Sequence, residues 1–172
     1  AKTYGTVLLK NIVGDARFSF PKSLYSVHDS LKYFVDEKPN ALILDFFAGS
    51  GTTLQAVNLL NAEDGGHRRC IMVTNNEVSA DEAKMLKDKG YQPGDEEWEK
   101  LGIANYVTWP RTVCSIKGQD VNGNPLKGDY LGSEPPMHMA DGFKANAAFF
   151  KLGFLDPTAV SLGMRFSEML PT

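Results

Sequence analysis

The stretch Leu44–Val57, LDFFAGSGTTLQAV, decides how the rest of the chain is read. It runs from the end of an apolar segment and its acid, Asp45, through Phe46 and Phe47 and past two glycines, Gly49 and Gly51. It then enters two threonines and an apolar-periodic segment. The pattern predicts a strand, a tight loop and a helix. Glycines at such a turn let a ligand lie against the backbone and meet amides at a helix N-terminus. In open α/β sheets, the crevice at the carboxyl ends of the strands is the usual ligand site.

Working outward, ALIL (Ala41–Leu44) reads as a short all-apolar strand of the kind buried on both faces of a parallel sheet. Upstream, SLYSVHDSLKYFV (Ser23–Val35) sets Leu24, Val27, Leu31 and Phe34 at helical spacing, with Pro21 fitted to an early turn. Downstream, Thr53–Asn61 reads as a helix with Leu54, Val57 and Leu60 inward, Gly65 and Gly66 turn the chain, and RCIMVTN is a second buried strand. Ser79 and Glu82 form a capping-box pattern for a helix from Ala80 to Lys89, stopped at Gly90. NYVTW (Asn105–Trp109) reads as a third strand. The succession predicts an open, mostly parallel α/β sheet with right-handed crossovers.

After Gly118 the style changes. VNGNPLKGDYL carries the Asn-Gly signal of a β-hairpin, and FKANAAFFKLGFL reads as one more strand. Asp156 and Pro157 open a last helix carrying Val160, Phe166 and Met169. The expected organisation is an α/β core over residues 1–118 and an appendage of hairpin, strand and helix over 119–172.

Composition narrows the function classes. The 172 residues are 42% hydrophobic and 23% charged, ordinary for a globular domain, with a net charge of −3. Free-standing nucleic-acid binders carry a basic excess, because phosphate neutralisation supplies most of their affinity. From Arg111 onward, six basic residues (Arg111, Lys117, Lys127, Lys144, Lys151, Arg165) meet six acids (Asp120, Asp129, Glu134, Asp141, Asp156, Glu168). Any DNA contact surface is therefore expected mostly elsewhere. The chain begins at Ala1 and stops close to an apolar-periodic segment, as a piece of a longer protein would. No apolar run has bilayer length and no signal-peptide profile opens the chain, so a cytoplasmic protein with no membrane partner is expected. Cys70 and Cys114 lack metal-ligand spacing and read as reduced core thiols; no metal site is expected. His28, His67 and His138 are too scattered for catalysis and read as surface or packed residues, and Trp98 and Trp109 as packing residues.

Three ligand classes compete for the glycine loop. A nucleoside triphosphate wants Gly-Lys-Ser/Thr, but Gly51 is followed by Thr52 and Thr53. A dinucleotide favours a third glycine where Leu54 stands. S-adenosylmethionine has no phosphate and carries a positively charged amino group that Asp45 suits. Its ribose would take a second acid at the end of the next strand, where Glu77 stands thirty-two positions after Asp45. A plain Gly-x-Gly turn, with Glu77 facing solvent, is the alternative.

These residues carry a resemblance. LDFFAGSGTT resembles the cofactor motif of amino-group DNA methyltransferases, and FSFPKSLYSV the motif that precedes it in one subgroup. Taken with RRCIMVTNNE and VNGNPLKGDYLG, the chain resembles the adenine-specific (N6) modification subunits of type III restriction systems, from about Gly5 to its end. The resemblance implies a Rossmann-like fold of the S-adenosylmethionine-dependent methyltransferase type, with S-adenosyl-L-methionine as cofactor. It implies that Asp45, Phe47, Gly49, Ser50, Gly51 and Thr52 line the methionine side, Asn76 and Glu77 the ribose side, and that Lys22 and Ser23 close over the methionine tail. Lys22 read by itself is equally a solvated lysine at a helix start. Trp109 would border the adenine side.

The same resemblance implies double-stranded DNA as the longer protein's partner, and leaves open a restriction subunit and a homodimer. The catalytic Asp/Asn/Ser-Pro-Pro-aromatic tetrapeptide occurs nowhere in the sequence, so no catalytic residue is assigned. The nearest string, EPPM (Glu134–Met137), has an acceptor one methylene too long and no stacking ring, and reads as an ordinary loop. The catalytic and target-recognition regions are expected upstream of residue 1. A non-catalytic assembly module and an RNA methyltransferase are the rival functions.

Overall fold

Two four-residue strands, β1 (Leu42–Asp45) and β2 (Arg69–Met72), pair in parallel from Leu42↔Arg69 to Asp45↔Met72. Parallel neighbours cannot be joined by a tight turn, so a helix, α3 (Thr52–Asp64), makes the crossover. The computed structural model describes residues 2–15, 17–153, 156–161 and 163. Helix α3 buries Ala56, Val57, Leu59 and Leu60 together with Gln55 and Asn58, as expected of a helix enclosed on most sides.

Helix α2 (Leu24–Val35) lies against α3. Leu24 is buried and Val27 and Leu31 pack on the core, whereas Phe34, expected inward, is 68% exposed. At about 100° per residue Phe34 falls roughly 80° away from Leu24 around the helix axis, on the side where Tyr33 meets it edge-on. His28 is packed instead, its Nε2 3.0 Å from the Glu63 carboxylate of α3. Buried Arg68 donates to the carbonyls of Val35 and Asp36 at the end of α2 and to Asp64 at the end of α3. One cation thus serves two helix C-termini.

Before these elements, a π-helical stretch (Thr3–Val7) runs into α1 (Leu8–Val13), which buries Leu8, Leu9, Ile12 and Val13. Helix α4 (Ala80–Asp88) has the expected cap: the Ser79 hydroxyl accepts from the Glu82 amide and bonds the Glu82 carboxylate. A short helix α5 (Glu96–Glu99) buries Trp98.

The segment expected to be a third strand is helical. Ala104–Thr108 forms a π-helical stretch leading into α6 (Trp109–Lys117). Its β-branched and aromatic residues favour a strand locally, but Val107, Arg111 and Cys114 make a stripe buried toward α1 and α3. Tertiary packing overrides a five-residue propensity signal.

Beyond Gly118, Asn122 and Gly123 do turn the chain, closed by a single bridge, Gln119↔Pro125. The Asp120 carboxylate accepts the amides of Asn122 and Asn124, at 2.8 and 2.9 Å, and so competes with hairpin pairing. A two-residue antiparallel pair, β3 (Asp129–Tyr130) with β4 (Met137–His138), follows. Residues 143–153 form no strand. Asp156 caps α7 (Pro157–Ser161) by accepting from the Ala159 amide at 2.7 Å; Phe166 and Met169 lie outside the described residues.

One core joins Leu8, Leu9, Ile12, Leu24, Ala56, Leu59 and Val107 to Leu126, Tyr130, Met139 and Phe143. The strands were expected to be covered on both faces. They are covered on one: along β1 and β2 residues alternate, and Leu42 (55%), Leu44 (52%) and Ile71 (51%) are exposed. Among the described residues no layer covers that face. No helix among them is long and apolar enough to cross a membrane.

Candidate functional site

The glycine loop begins where β1 ends. Gly49 (φ 50°) and Gly51 (φ 75°) both take left-handed backbone, which a side chain would strain. The Gly51 amide closes a turn onto the Ala48 carbonyl at 2.8 Å, and the Ala48 amide reaches the Val73 carbonyl just beyond β2 at 3.1 Å. The half-buried Asp45 carboxylate spans the loop, one oxygen accepting from the Phe47 amide at 3.0 Å and the other from the Thr53 hydroxyl in the first turn of α3. Loop shape and acid position are thereby fixed together.

The segment before α2 comes to this loop. Phe18 lies so close that a Cβ on Gly49 would sit 3.2 Å from its ring. Arg17 anchors the segment, its guanidinium 3.9 Å over the Tyr106 ring and paired with Glu82. Lys22 is exposed, and Ser23 is the extended N-cap residue of α2. Phe47 is 93% exposed. Past β2, the Asn76 side chain donates to the carbonyl and carboxylate of Glu99 and accepts from the Asn105 amide, while Glu77 is exposed and its carbonyl takes the Ile103 amide. Asp45 is the last residue of β1, beside the opened backbone, and Glu77 lies five positions past the end of β2.

Residues 10–85, which contain both strands, the glycine loop and Glu77, match the DNA methylase family model. The chain resembles an N6-adenine DNA methyltransferase. It is 40% identical over 87 residues to the Mod subunit of the type III restriction-modification enzyme EcoPI from Escherichia phage P1, covering 51% of this chain and 13% of that subunit. It is 38% identical over 86 residues to the StyLTI Mod subunit of Salmonella typhimurium, covering 50% and 13%. To the type II methyltransferase M.KpnI of Klebsiella pneumoniae it is 44% identical over 68 residues, covering 40% and 16%. The matched stretch is thus a small fraction of each relative.

Within this matched segment, the Ser50 and Thr52 side chains are buried and turn inward. What they meet is Arg111 of α6, wholly buried, whose Nη1 lies 3.0 Å from the Ser50 hydroxyl and 2.7 Å from that of Thr52. Sequence reading treated Arg111 only as one of six cations. Its partners lie 56 to 61 positions away in the sequence, so no local pattern marks it. Phe18 and Thr108, whose hydroxyl donates to the Gly49 carbonyl, were also missed; as loop neighbours contributed by distant sequence they leave no local pattern.

Trp109 packs at a tilt against Phe149, ring centres 5.4 Å apart, and EPPM is mostly exposed, its first three residues in the link before β4 and Met137 opening that strand. Cys70 and Cys114 are free thiols. Burial, with Asp45 adding negative charge nearby, pushes Cys70 up to about 12, and burial also raises Cys114. Among the described residues no group of histidine, cysteine and acid side chains could hold a metal ion.

Proposed function

We propose that the chain is the S-adenosylmethionine-binding portion of a site-specific DNA adenine-N6 methyltransferase of a restriction-modification system. The observation that carries the reading is the left-handed Gly49–Gly51 turn at the end of β1, pinned through the Asp45 carboxylate. The residues present fit that cofactor: an acid for the ammonium, backbone opened by two glycines, and a second, exposed acid past β2 for ribose hydroxyls. When bound, the cofactor supplies a methyl group activated on a sulfonium.

The chain's own residues bind and orient. Asp45 holds the amino group while fixing the loop, and Gly49 and Gly51 let the methionine portion approach the backbone. Ser50 and Thr52 contribute main chain only, because their side chains are committed inward. Lys22, exposed beside Ser23, suits the carboxylate as a point charge, and Phe47 offers an exposed apolar edge. The Asn76 amide is taken by Glu99 and Asn105, so the ribose role rests on Glu77. Double-stranded DNA, a restriction subunit and a second copy would meet surfaces of a longer protein. The division into a 1–118 core and a 119–172 appendage belongs to the same reading.

Calorimetry with S-adenosylmethionine tests it. The chain is expected to bind the cofactor and, lacking the Pro-Pro-aromatic tetrapeptide, to leave duplex DNA unmethylated. Glu77→Ala should weaken binding by about 1–3 kcal/mol, the scale of hydrogen bonds to a charged acceptor. Gly49→Val should weaken it more, since its side chain would meet Phe18 and strain the turn. Unchanged affinity in Glu77→Ala removes that residue from the ribose role. The uncovered face of β1 and β2 favours a second reading, a non-catalytic assembly module, which is supported if the chain binds no cofactor while a larger methylase polypeptide captures it.

A further inference from the structure

Arg111 has an unusual position for a guanidinium. It is 0% exposed, and among the described residues no carboxylate pairs with it. Its Nε donates to Gln55 Oε1 at 3.0 Å, and its Nη1 to the Ser50 hydroxyl, the Ser50 carbonyl (3.3 Å) and the Thr52 hydroxyl. Its Nη2 has no partner among the described residues. Burying a charge without a counter-ion is costly, and a hydrophobic residue of similar volume would avoid that cost. Here burial lowers the guanidinium to about 10, still charged at neutral pH.

Every acceptor of Nη1 flanks Gly51. Three residues earlier on the same helical run, the Thr108 hydroxyl donates to the Gly49 carbonyl, and a Cβ on Gly51 would meet the Thr108 methyl at 3.2 Å. The start of α6 therefore grips the loop from Gly49 to Thr52 on its inner side. The grip is itself braced, because Gln55 passes on to the buried Tyr130 hydroxyl of β3 at 3.3 Å. A planar guanidinium fixes its donors relative to one another, Nε on Gln55 and Nη1 on the loop, whereas the three donors of an ammonium rotate.

The geometry points to Arg111 as the positioning residue of the glycine loop: its Nη1, steadied by the Nε bond to Gln55, holds Ser50 and Thr52 so that the turn between them keeps the shape a cofactor needs. The inference rests on the cofactor-binding reading for its functional consequence, but not for the loop's rigidity. A loop fixed before binding does not lose that ordering entropy when the ligand arrives.

The experiment compares wild type with Arg111→Met and Arg111→Lys by calorimetry with S-adenosylmethionine and by amide hydrogen exchange without ligand. Arg111→Met is expected to lower affinity at least tenfold and to speed exchange at Gly49, Ser50 and Gly51, leaving Leu59 in α3 protected. Arg111→Lys should fall between, because the charge remains and the fork is lost. A merely structural role would raise exchange uniformly across α3 and α6, and that result overturns the proposal; so does wild-type loop exchange in Arg111→Met. If Arg111→Met does not fold, Thr52→Val removes one acceptor with little change in shape, and unchanged loop exchange there counts equally against it. A wild-type chain that binds no cofactor defeats the functional reading alone, while loop exchange still decides the role of Arg111.

Discussion

Gly51 marks how tightly the site residues are constrained. Its φ of 75° costs an L-residue about 1–2 kcal/mol, and the Thr108 methyl stands 3.2 Å from where a Cβ would be. Gly51→Ala should therefore lose at least about 1–2 kcal/mol in urea unfolding, whereas Gly65→Ala, at a similar φ but with open space around it, should lose only the backbone part. Equal losses would mean that Thr108 yields freely. The two thiols make a second residue-scale case. With Cys70 pushed up to about 12 and Cys114 raised above its ordinary value, the thiolate fraction at pH 8 is very small in the folded chain. A disulfide reagent such as Ellman's is expected to react slowly at pH 8 and to titrate both cysteines promptly in urea. Fast labelling of native Cys70 would show that its neighbourhood is more open than its burial implies. Asp45, Gly49 and Gly51 were legible in the sequence because a turn with φ above zero needs particular residue types. Arg111 was not, because its meaning comes from partners some sixty positions away.

Among the elements, α2 and α3 owe their ends to one side chain. Arg68 caps Val35 and Asp36 and pairs with Asp64, so Arg68→Met takes the side-chain donor from the Asp36 carbonyl and leaves the Val35 carbonyl only the Lys38 amide. A loss of about 2–3 kcal/mol is expected in urea unfolding, the scale of charge-assisted hydrogen bonds, and a loss below 0.5 kcal/mol would assign the capping to water instead. Asp64→Asn should cost under about 1 kcal/mol, since that carboxylate is partly exposed. The pH dependence follows from its sign. The Arg68 hydrogen bond holds the Asp64 carboxyl below its ordinary 3.8, so the folded chain binds that proton less readily than the unfolded chain. Its contribution is present above pH 3.8 and fades as pH falls through the depressed value. The acid limb of a stability profile should be shallower in Asp64→Asn than in wild type; identical limbs would remove the pair from acid unfolding. The sequence carried α2, α3 and α4 plainly, through periodicity and the Ser79–Glu82 cap. It misread Asn105–Trp109 because a five-residue string rich in β-branched and aromatic side chains says nothing of the stripe that Val107 begins. The Asn-Gly turn forms where it was expected, but its flanking strands do not, because Asp120 captures amides that compete with hairpin pairing.

For the whole molecule, the deciding feature is a sheet with one side covered. Parallel strands are ordinarily buried on both faces, and the sequence of β1 and β2 is apolar on both. Among the described residues the helices serve one side, and Leu42, Leu44 and Ile71 line the other. If that face meets water in solution, Leu44→Ser should behave as a surface change, within about 0.5 kcal/mol, while Leu59→Ala in the wholly buried middle of α3 should cost about 2–5 kcal/mol. The comparison is informative because the two leucines differ in burial and not in chemistry. Should Leu44→Ser destabilise as a core change does, something covers it, and sedimentation at several concentrations identifies what. A loss that grows with protein concentration, alongside a dimer that Leu44→Ser dissociates, assigns the cover to a second copy. A loss independent of concentration, in a chain that stays monomeric, would mean that the helices reach round the sheet in solution and that the open face does not exist.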